Sequence, residues 1–238
     1  MKIAILTPTR SRPAGLMRLY ESIRKTISGK HRIIFAYYVD DDDDKLEEYK
    51  HLVFTGHPNI KVVPFYSERR IIARAFNHMA MHLRSNRMYF MNGADDMVFD
   101  TPGWDEILSK KIVDHPYALY YFDDGIQHEG LATFAVVSQH WIGVLGYFFP
   151  EHIRHNYIDT YIFDVACRAG VTVYIPEVRL KHLHFTIDNT LYDKTYDQSQ
   201  QHMAADAEAY NNSSGKRITE AEMIRYKVQL WLDATDKK

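Results

Sequence analysis

The segment Met88-Tyr-Phe-Met-Asn-Gly-Ala-Asp-Asp-Met-Val-Phe-Asp100 constrains the fold more than any other part of the chain. An apolar run stops at two adjacent carboxylates, Asp95 and Asp96, and a second apolar step follows at once. Aspartate is disfavoured inside strands, so the pair belongs where a strand ends. In an open α/β sheet the carboxyl ends of strands are where ligands bind. Two carboxylates placed there suit a hard divalent cation, which is commonly shared with substrate phosphates. The competing reading of the pair is a surface turn after an edge strand.

The flanking segments decide the type of sheet. Residues 2–6 read as a buried strand, 7–13 as a loop, and 15–27 as an amphipathic helix with Leu16, Leu19, Ile23 and Ile27 near helical spacing. Strands at 33–39 and 60–65 follow, then a helix over 71–83 and the strand at 88–91. This order predicts a mainly parallel sheet flanked by helices. After residue 100 the pattern changes. Thr101-Pro102 looks like a helix start opening a helix to Val113, and strands are expected at 117–122, 131–137 and 171–175. A helix over 158–169 ends at Gly170, and Lys181-His-Leu-His-Phe185 lies beyond the last strand. The tail carries two helical patterns, the second opening at the capping-box sequence Thr219-Glu-Ala-Glu222.

Composition removes several classes. A chain of 238 residues that is 46% hydrophobic can bury a sizeable core, and a net charge of -2 gives no general push toward nucleic acid or anionic membrane. No apolar stretch approaches the roughly 20 residues needed to span a bilayer. The first residues lack the long apolar region of a signal peptide, and the single Cys167 excludes an internal disulfide. A cytoplasmic, reducing setting is therefore expected. The first strand–helix junction lacks Gly-x-Gly-x-x-Gly, which argues against an NAD-type Rossmann enzyme. The absence of glycine from residues 7–13 also argues against the phosphate loop of a nucleotidyltransferase. The run of five aspartates from Asp40 to Asp44 reads as a solvated loop, with function assigned only to Asp40 at the strand end.

Four motifs in order resemble the GT-A-fold glycosyltransferases, close to the family 2 group and of the compact bacterial or phage type. Ile5-Leu-Thr-Pro-Thr-Arg10 closes the first strand, Asp40 follows the second, and Ala73-Arg-Ala-Phe-Asn77 lies on the helix before the fourth. Ala94-Asp95-Asp96 falls where that family carries Asp-x-Asp, with Gly93 at the place of its first Asp. The resemblance covers residues 1–185. It implies a GT-A-like, Rossmann-like domain over 1–190 with a mixed, mainly parallel sheet. Residues 1–100 would be the nucleotide-binding half, 101–190 the acceptor half, and 191–238 a helical extension.

The resemblance further implies transfer of a hexosyl or pentosyl group from a nucleoside diphosphate sugar, a UDP-sugar foremost, to a hydroxyl acceptor with inversion. Thr7, Pro8, Thr9, Arg10, Asp40, Arg70, Arg74, Asn77 and Asp96 are the expected donor contacts, among them guanidinium groups that suit phosphate. Asp95 and Asp96, completed by His182 or His184, would hold Mn2+ or Mg2+, and an imidazole ligand favours Mn2+. Asp159 is the expected general base, its competing role being a helix N-cap, and Asp123 and Asp124 are the rival site. Trp141 and the aromatics through Phe149 are core or an acceptor platform. The acceptor is expected to be a glycan, lipid, protein or small molecule, or a hydroxymethylated pyrimidine in phage DNA, which would require a basic groove and place the enzyme in the host cytoplasm. Gly93 also leaves room for a non-catalytic member that binds sugar or nucleotide.

Overall fold

Strands with both faces covered read as unbroken apolar runs rather than as alternation, and the centre of this sheet is built from such runs. The computed structural model describes residues 1–112, 116–184, 197 and 200–235. Its elements begin with β1 (Lys2–Pro8), α1 (Pro13–Thr26), β2 (Arg32–Asp40), α2 (Leu46–Lys50), β3 (Ile60–Ser67), α3 (Ile72–Leu83) and β4 (Met88–Asn92). They continue with β5 (Met97–Phe99), α4 (Trp104–Ile112), β6 (Leu119–Asp123), β7 (Ala135–Ser138), α5 (Gln139–Leu145), α6 (Ile158–Ala169) and β8 (Thr172–His182). Helices α7 (Met203–Asn212) and α8 (Ser214–Thr235) form the C-terminal part. No helix among the described residues is long and apolar enough to cross a membrane.

The strands form one eight-stranded sheet in the order β3-β2-β1-β4-β7-β6-β8-β5. β1 runs parallel to both β2 and β4, whereas β7 is antiparallel to β4 and to β6. Ile3 and Ile5 of β1 face a core shared with α1 and Trp104, while Ala4 and Leu6 face Phe76, Trp141 and Tyr161 on the other side. Burying each large side chain of this kind is worth about 1.5–3 kcal/mol, so both layers are held to the sheet chiefly by apolar contact. The chain leaves β1 toward β2 on one side, while β4 lies on the other. At such a reversal a doubly wound sheet takes its ligand in the crevice outside the carboxyl ends of its strands, here those of β1 and β4.

Several boundaries differ from the sequence expectation. β8 extends to His182 because it serves two neighbours in turn: residues 172–175 pair with β6, and 180–182 pair antiparallel with β5. The register shifts between Phe122 and Asp123, and Pro176 falls in this irregular stretch, where no ladder bond is lost. β7 is shorter than the expected 131–137, and the segment after it folds as α5, capped by Ser138, whose hydroxyl accepts the His140 and Trp141 amides. Thr219-Glu-Ala-Glu222 is not a helix start. α8 begins at Ser214, and Thr219 Oγ1 bonds back to the Gly215 carbonyl at 3.2 Å. Val113, Phe185 and the expected boundary near residue 190 lie outside the described residues.

The C-terminal helices are tied to the sheet layer by polar contacts. Both oxygens of the buried Glu220 are engaged, one by the Tyr147 hydroxyl and one by the Tyr161 hydroxyl at 3.0 Å. Arg217 reaches Asp164 at 2.6 Å and lies 3.9 Å over the Tyr210 ring.

Candidate active site

The loop after β1 is organised by the acidic run, which is therefore more than a solvated block. Arg10 pairs with Asp40 at 2.9 Å and with Asp42 at 2.6 Å. The Ser11 amide donates to Asp43 at 2.9 Å and its hydroxyl to Asp44 at 2.5 Å. Tyr49 adds a third tie, its hydroxyl lying 2.8 Å from Thr9 Oγ1 and accepting the Arg12 amide at 2.8 Å. Ser11 sits at φ 57, a left-handed conformation that these bonds hold in place. Asp40 also accepts the Arg70 amide at 3.2 Å, while burial pushes its carboxyl above the ordinary range.

This pinned loop aims Arg12 and Thr9 at the end of β4. Asp95 is only 6% exposed; it accepts Thr9 Oγ1 at 2.6 Å and the Arg12 guanidinium at 3.1 Å. Burial drives its carboxyl well above the usual range, with Arg12 opposing and Asp96 reinforcing the shift. The first turn of α1 packs directly on this bend. A Cβ on Gly15 would stand 2.6 Å from the Asp95 carbonyl oxygen, so only glycine allows the approach. The Gly93 amide still bonds to Leu6 at 2.7 Å, which carries the β1–β4 ladder to the edge of the crevice.

β5 decides which histidine reaches the pair. Met97 is paired with His182, and the Leu183 amide donates to the Asp96 carbonyl at 2.7 Å. His182 Nε2 accordingly lies 3.7 Å from Asp96 Oδ1, and its Nδ1 lies 3.9 Å from Asp124 Oδ2. Arg12 stands 3.9 Å from the other oxygen of Asp96. His184 is stacked beside His182, ring centres 5.0 Å apart, and its imidazole is pushed down by burial and by His182.

The remaining candidates fall into two groups. Asp159 is at the second position of α6 and accepts the Thr160 amide at 2.7 Å. Burial raises its carboxyl, while the Thr160 bonds and nearby His182 pull the other way. His155, which the sequence did not single out, joins this wall. Burial lowers its imidazole, and Asp206, His202, Arg12 and Asp96 all act on it electrostatically. Asp124 is 2% exposed, and its Oδ1 accepts the amides of Ile126, Gln127 and His128 at 2.9, 2.7 and 3.3 Å. Its Oδ2 accepts no hydrogen bond among the described residues and lies 3.9 Å from His182 Nδ1. Asp123 bonds His128 at 2.8 Å; burial would raise its carboxyl, but the Gly125 amide and His128 hold it low.

Four of the expected donor contacts are engaged within the protein. Thr7 is fully buried beneath Gly93. Asn77 is 8% exposed; its oxygen accepts the Phe148 and Phe149 amides at 2.9 and 3.0 Å, and its nitrogen donates to the Phe149 carbonyl at 2.9 Å. Arg74 pairs with Glu151 at 3.0 Å on the surface. Arg70 bonds Tyr38 at 3.0 Å and Glu68 at 2.8 Å. Pro8 ends β1 at the crevice. Trp141, Phe148 and Phe149 are fully buried and belong to the core.

The four expected metal ligands do not form one cluster, since among the described residues no group of three or more His, Cys, Asp or Glu is gathered to hold an ion. The oxygens of Asp95, expected as the direct ligand, are engaged here by Thr9 and Arg12. Asp96 and His182 do fit a cation. Donors 3.7 Å apart can share one ion at about 2 Å from each, and Asp124 Oδ2 stands on the far side of the ring, 3.9 Å from the other imidazole nitrogen and beyond hydrogen-bond distance.

No protein-family profile matches the chain, and no curated protein matches it. Solved structures do. The mannosyltransferase PcManGT from Pyrobaculum calidifontis, in complex with GDP-Man and Mn2+, superimposes with a TM-score of 0.65 at 12% identity, over 99% of this chain and 75% of that one. TarS of S. aureus superimposes with a TM-score of 0.56 at 12% identity, over 75% of this chain and 36% of that one, so the chain spans little more than a third of TarS. TarS 1-349 in complex with UDP-GlcNAc gives 0.54 at 12% identity, over 75% of this chain and 58% of that one. The chain has a GT-A-like glycosyltransferase fold: a single mixed sheet flanked by helices, with a helical C-terminal part.

Proposed function

We propose that this chain is a metal-dependent glycosyltransferase that moves a sugar from a nucleoside diphosphate donor, a UDP-sugar foremost, to a hydroxyl acceptor with inversion. One observation carries the reading: the loops at the switch point bring Asp95, Asp96, Arg12 and His182 into one crevice, with Asp159 in electrostatic reach of His182. The donors and Mn2+ held by the solved structures of the same fold support it.

Asp96 and His182 would hold a divalent cation, Mn2+ or Mg2+, whose remaining positions go to donor phosphates and water. When bound, such an ion neutralises charge on the leaving diphosphate. Arg12 is placed to bind a phosphate oxygen through its guanidinium. Asp40, fixed by Arg10 and Arg70, presents a carboxylate that can accept a uracil imide N–H. Asp159 takes the proton of the acceptor hydroxyl. The acceptor oxygen bonds the anomeric carbon as the bond to the diphosphate oxygen breaks, and the diphosphate departs with the electron pair. Burial raises the Asp159 pKa toward that of a working base.

A second reading, binding without transfer, has one observation in its favour: Arg12 already lies against both aspartates as a built-in cation. Calorimetric titration of UDP- and GDP-sugars with Mn2+ or with EDTA, followed by assay of donor turnover, separates the two. Metal-dependent binding that weakens at least tenfold in Asp96→Ala is expected, with turnover lost in Asp159→Asn while donor binding persists. Binding without any turnover by the wild type supports the second reading. No binding of any nucleotide sugar overturns both.

A further inference from the structure

Residues 154–159 carry His155 and Asp159 into the crevice, and what holds this segment comes from the far end of the chain. Asp206 on α7 is 2% exposed and is the one buried residue of that helix. Its Oδ1 accepts the Arg154 amide at 2.8 Å, and its Oδ2 accepts the amides of His155 at 3.0 Å and Asn156 at 2.9 Å. Successive backbone amides converging on one carboxylate form an anion nest, each bond strengthened by the charge. The next residue, Tyr157, is left-handed at φ 67 and starts α6, and its ring stacks on Tyr210 of α7 with centres 5.6 Å apart. Asp159 follows two residues later. The apolar contacts of α7 are limited: Ala209 and Tyr210 pack against the core only half-buried, and Asp206 is its one buried side chain.

We propose that Asp206 is a positioning residue for transfer: its carboxylate closes the nest at residues 154–156 and so sets Asp159 and His155 against the Asp95–Asp96 crevice. The inference rests on the proposed function. It makes the C-terminal helices a working part of the site rather than an appendage. A shift of the reacting geometry by about 1 Å can lower a rate about 100-fold. Loss of the nest therefore lowers kcat at least tenfold while donor affinity, set by residues of the first half of the chain and His182, changes less than threefold.

The test compares full-length wild type, Asp206→Ala, Asp206→Asn and Asp206→Glu. Amide hydrogen exchange over residues 151–158, donor Kd and donor turnover are measured on each. The expected result is faster exchange in that segment and reduced kcat in Asp206→Ala, with Kd retained and partial recovery in Asp206→Asn, which keeps one acceptor oxygen. Should Asp206→Ala fail to fold, Asp206→Asn and Asp206→Glu carry the comparison. Faster exchange with kcat within threefold of wild type overturns the positioning role. Slow exchange in every folded variant overturns the nest itself. Wild type that binds no donor sinks the proposed function instead, and the exchange result is then read independently.

Discussion

Gly93 is a position where the structure gives a quantitative expectation. A Cβ there would lie 2.7 Å from Thr7 Oγ1, 2.9 Å from Ile5 Cγ2 and 3.3 Å from the Leu6 carbonyl oxygen. Ordinary contacts between such atoms are about 3.5–4.0 Å, so two of the three overlap by roughly 1 Å. Thr7 and Ile5 are fully buried on β1, which is locked between β2 and β4 and cannot shift. Overpacking of this kind costs about 1–3 kcal/mol. For a chain of this size that lowers the midpoint of thermal unfolding by about 2–12 °C in Gly93→Ala. Gly93→Asp, which restores the first acid of Asp-x-Asp, adds a buried unpaired charge beside Asp95 and is expected to cost more, about 3–5 kcal/mol. Thr7→Ala removes an oxygen that has no hydrogen-bond partner among the described residues, so it is expected to be nearly neutral alone and to recover part of the loss in Gly93→Ala. Circular dichroism melts of the four variants measure this. If Gly93→Ala melts with wild type, or Gly93→Asp is stable and gains metal affinity, the argument that space excludes a ligand at this position is refuted.

Asn77→Ala leaves the Phe148 and Phe149 amides buried without an acceptor, which costs about 2–6 kcal/mol at 1–3 kcal/mol per group. Urea unfolding is expected to show that loss with donor Kd unchanged; a weakened Kd at full stability would restore Asn77 as a donor contact. For Asp95, burial raises the folded carboxyl above its ordinary value of 3.8. The folded state thus holds more protons than the unfolded one, and stability falls as pH rises from about 4 through the folded pKa, then levels. A tenfold weakening of the acid on folding corresponds to about 1.4 kcal/mol. In metal-free buffer the stability of wild type minus that of Asp95→Asn is expected to decline between pH 4 and pH 7, and a flat difference contradicts the raised value.

The first half of the fold was legible because buried parallel strands and amphipathic helices announce themselves by unbroken and periodic apolar runs. Asp95 and Asp96 were legible for the converse reason, as charges that interrupt such a run. What escaped depended on pairing across long stretches of chain. β5 is three residues long, too short to show a period, yet its antiparallel pairing with β8 selects His182 and sets it opposite Asp96. The aspartates after β2 looked like a solvated block because their partners, Arg10, Ser11 and the loop amides, come from β1's end. Asp206 gave no signal at all, since its three amide partners are defined only by a turn far upstream. Asn77 and Thr7 stood in motifs that matched by position, and those motifs gave no sign that both side chains are buried.

The most direct test of the central claim is a crystal structure with Mn2+ and a uridine diphosphate sugar, read by anomalous scattering at the manganese edge. The expected result is a single strong peak in contact with Asp96, His182 and the donor diphosphate, with Asp159 facing the anomeric carbon. A donor bound elsewhere, or a saturated crystal whose Asp96 and His182 touch neither metal nor phosphate, contradicts the account.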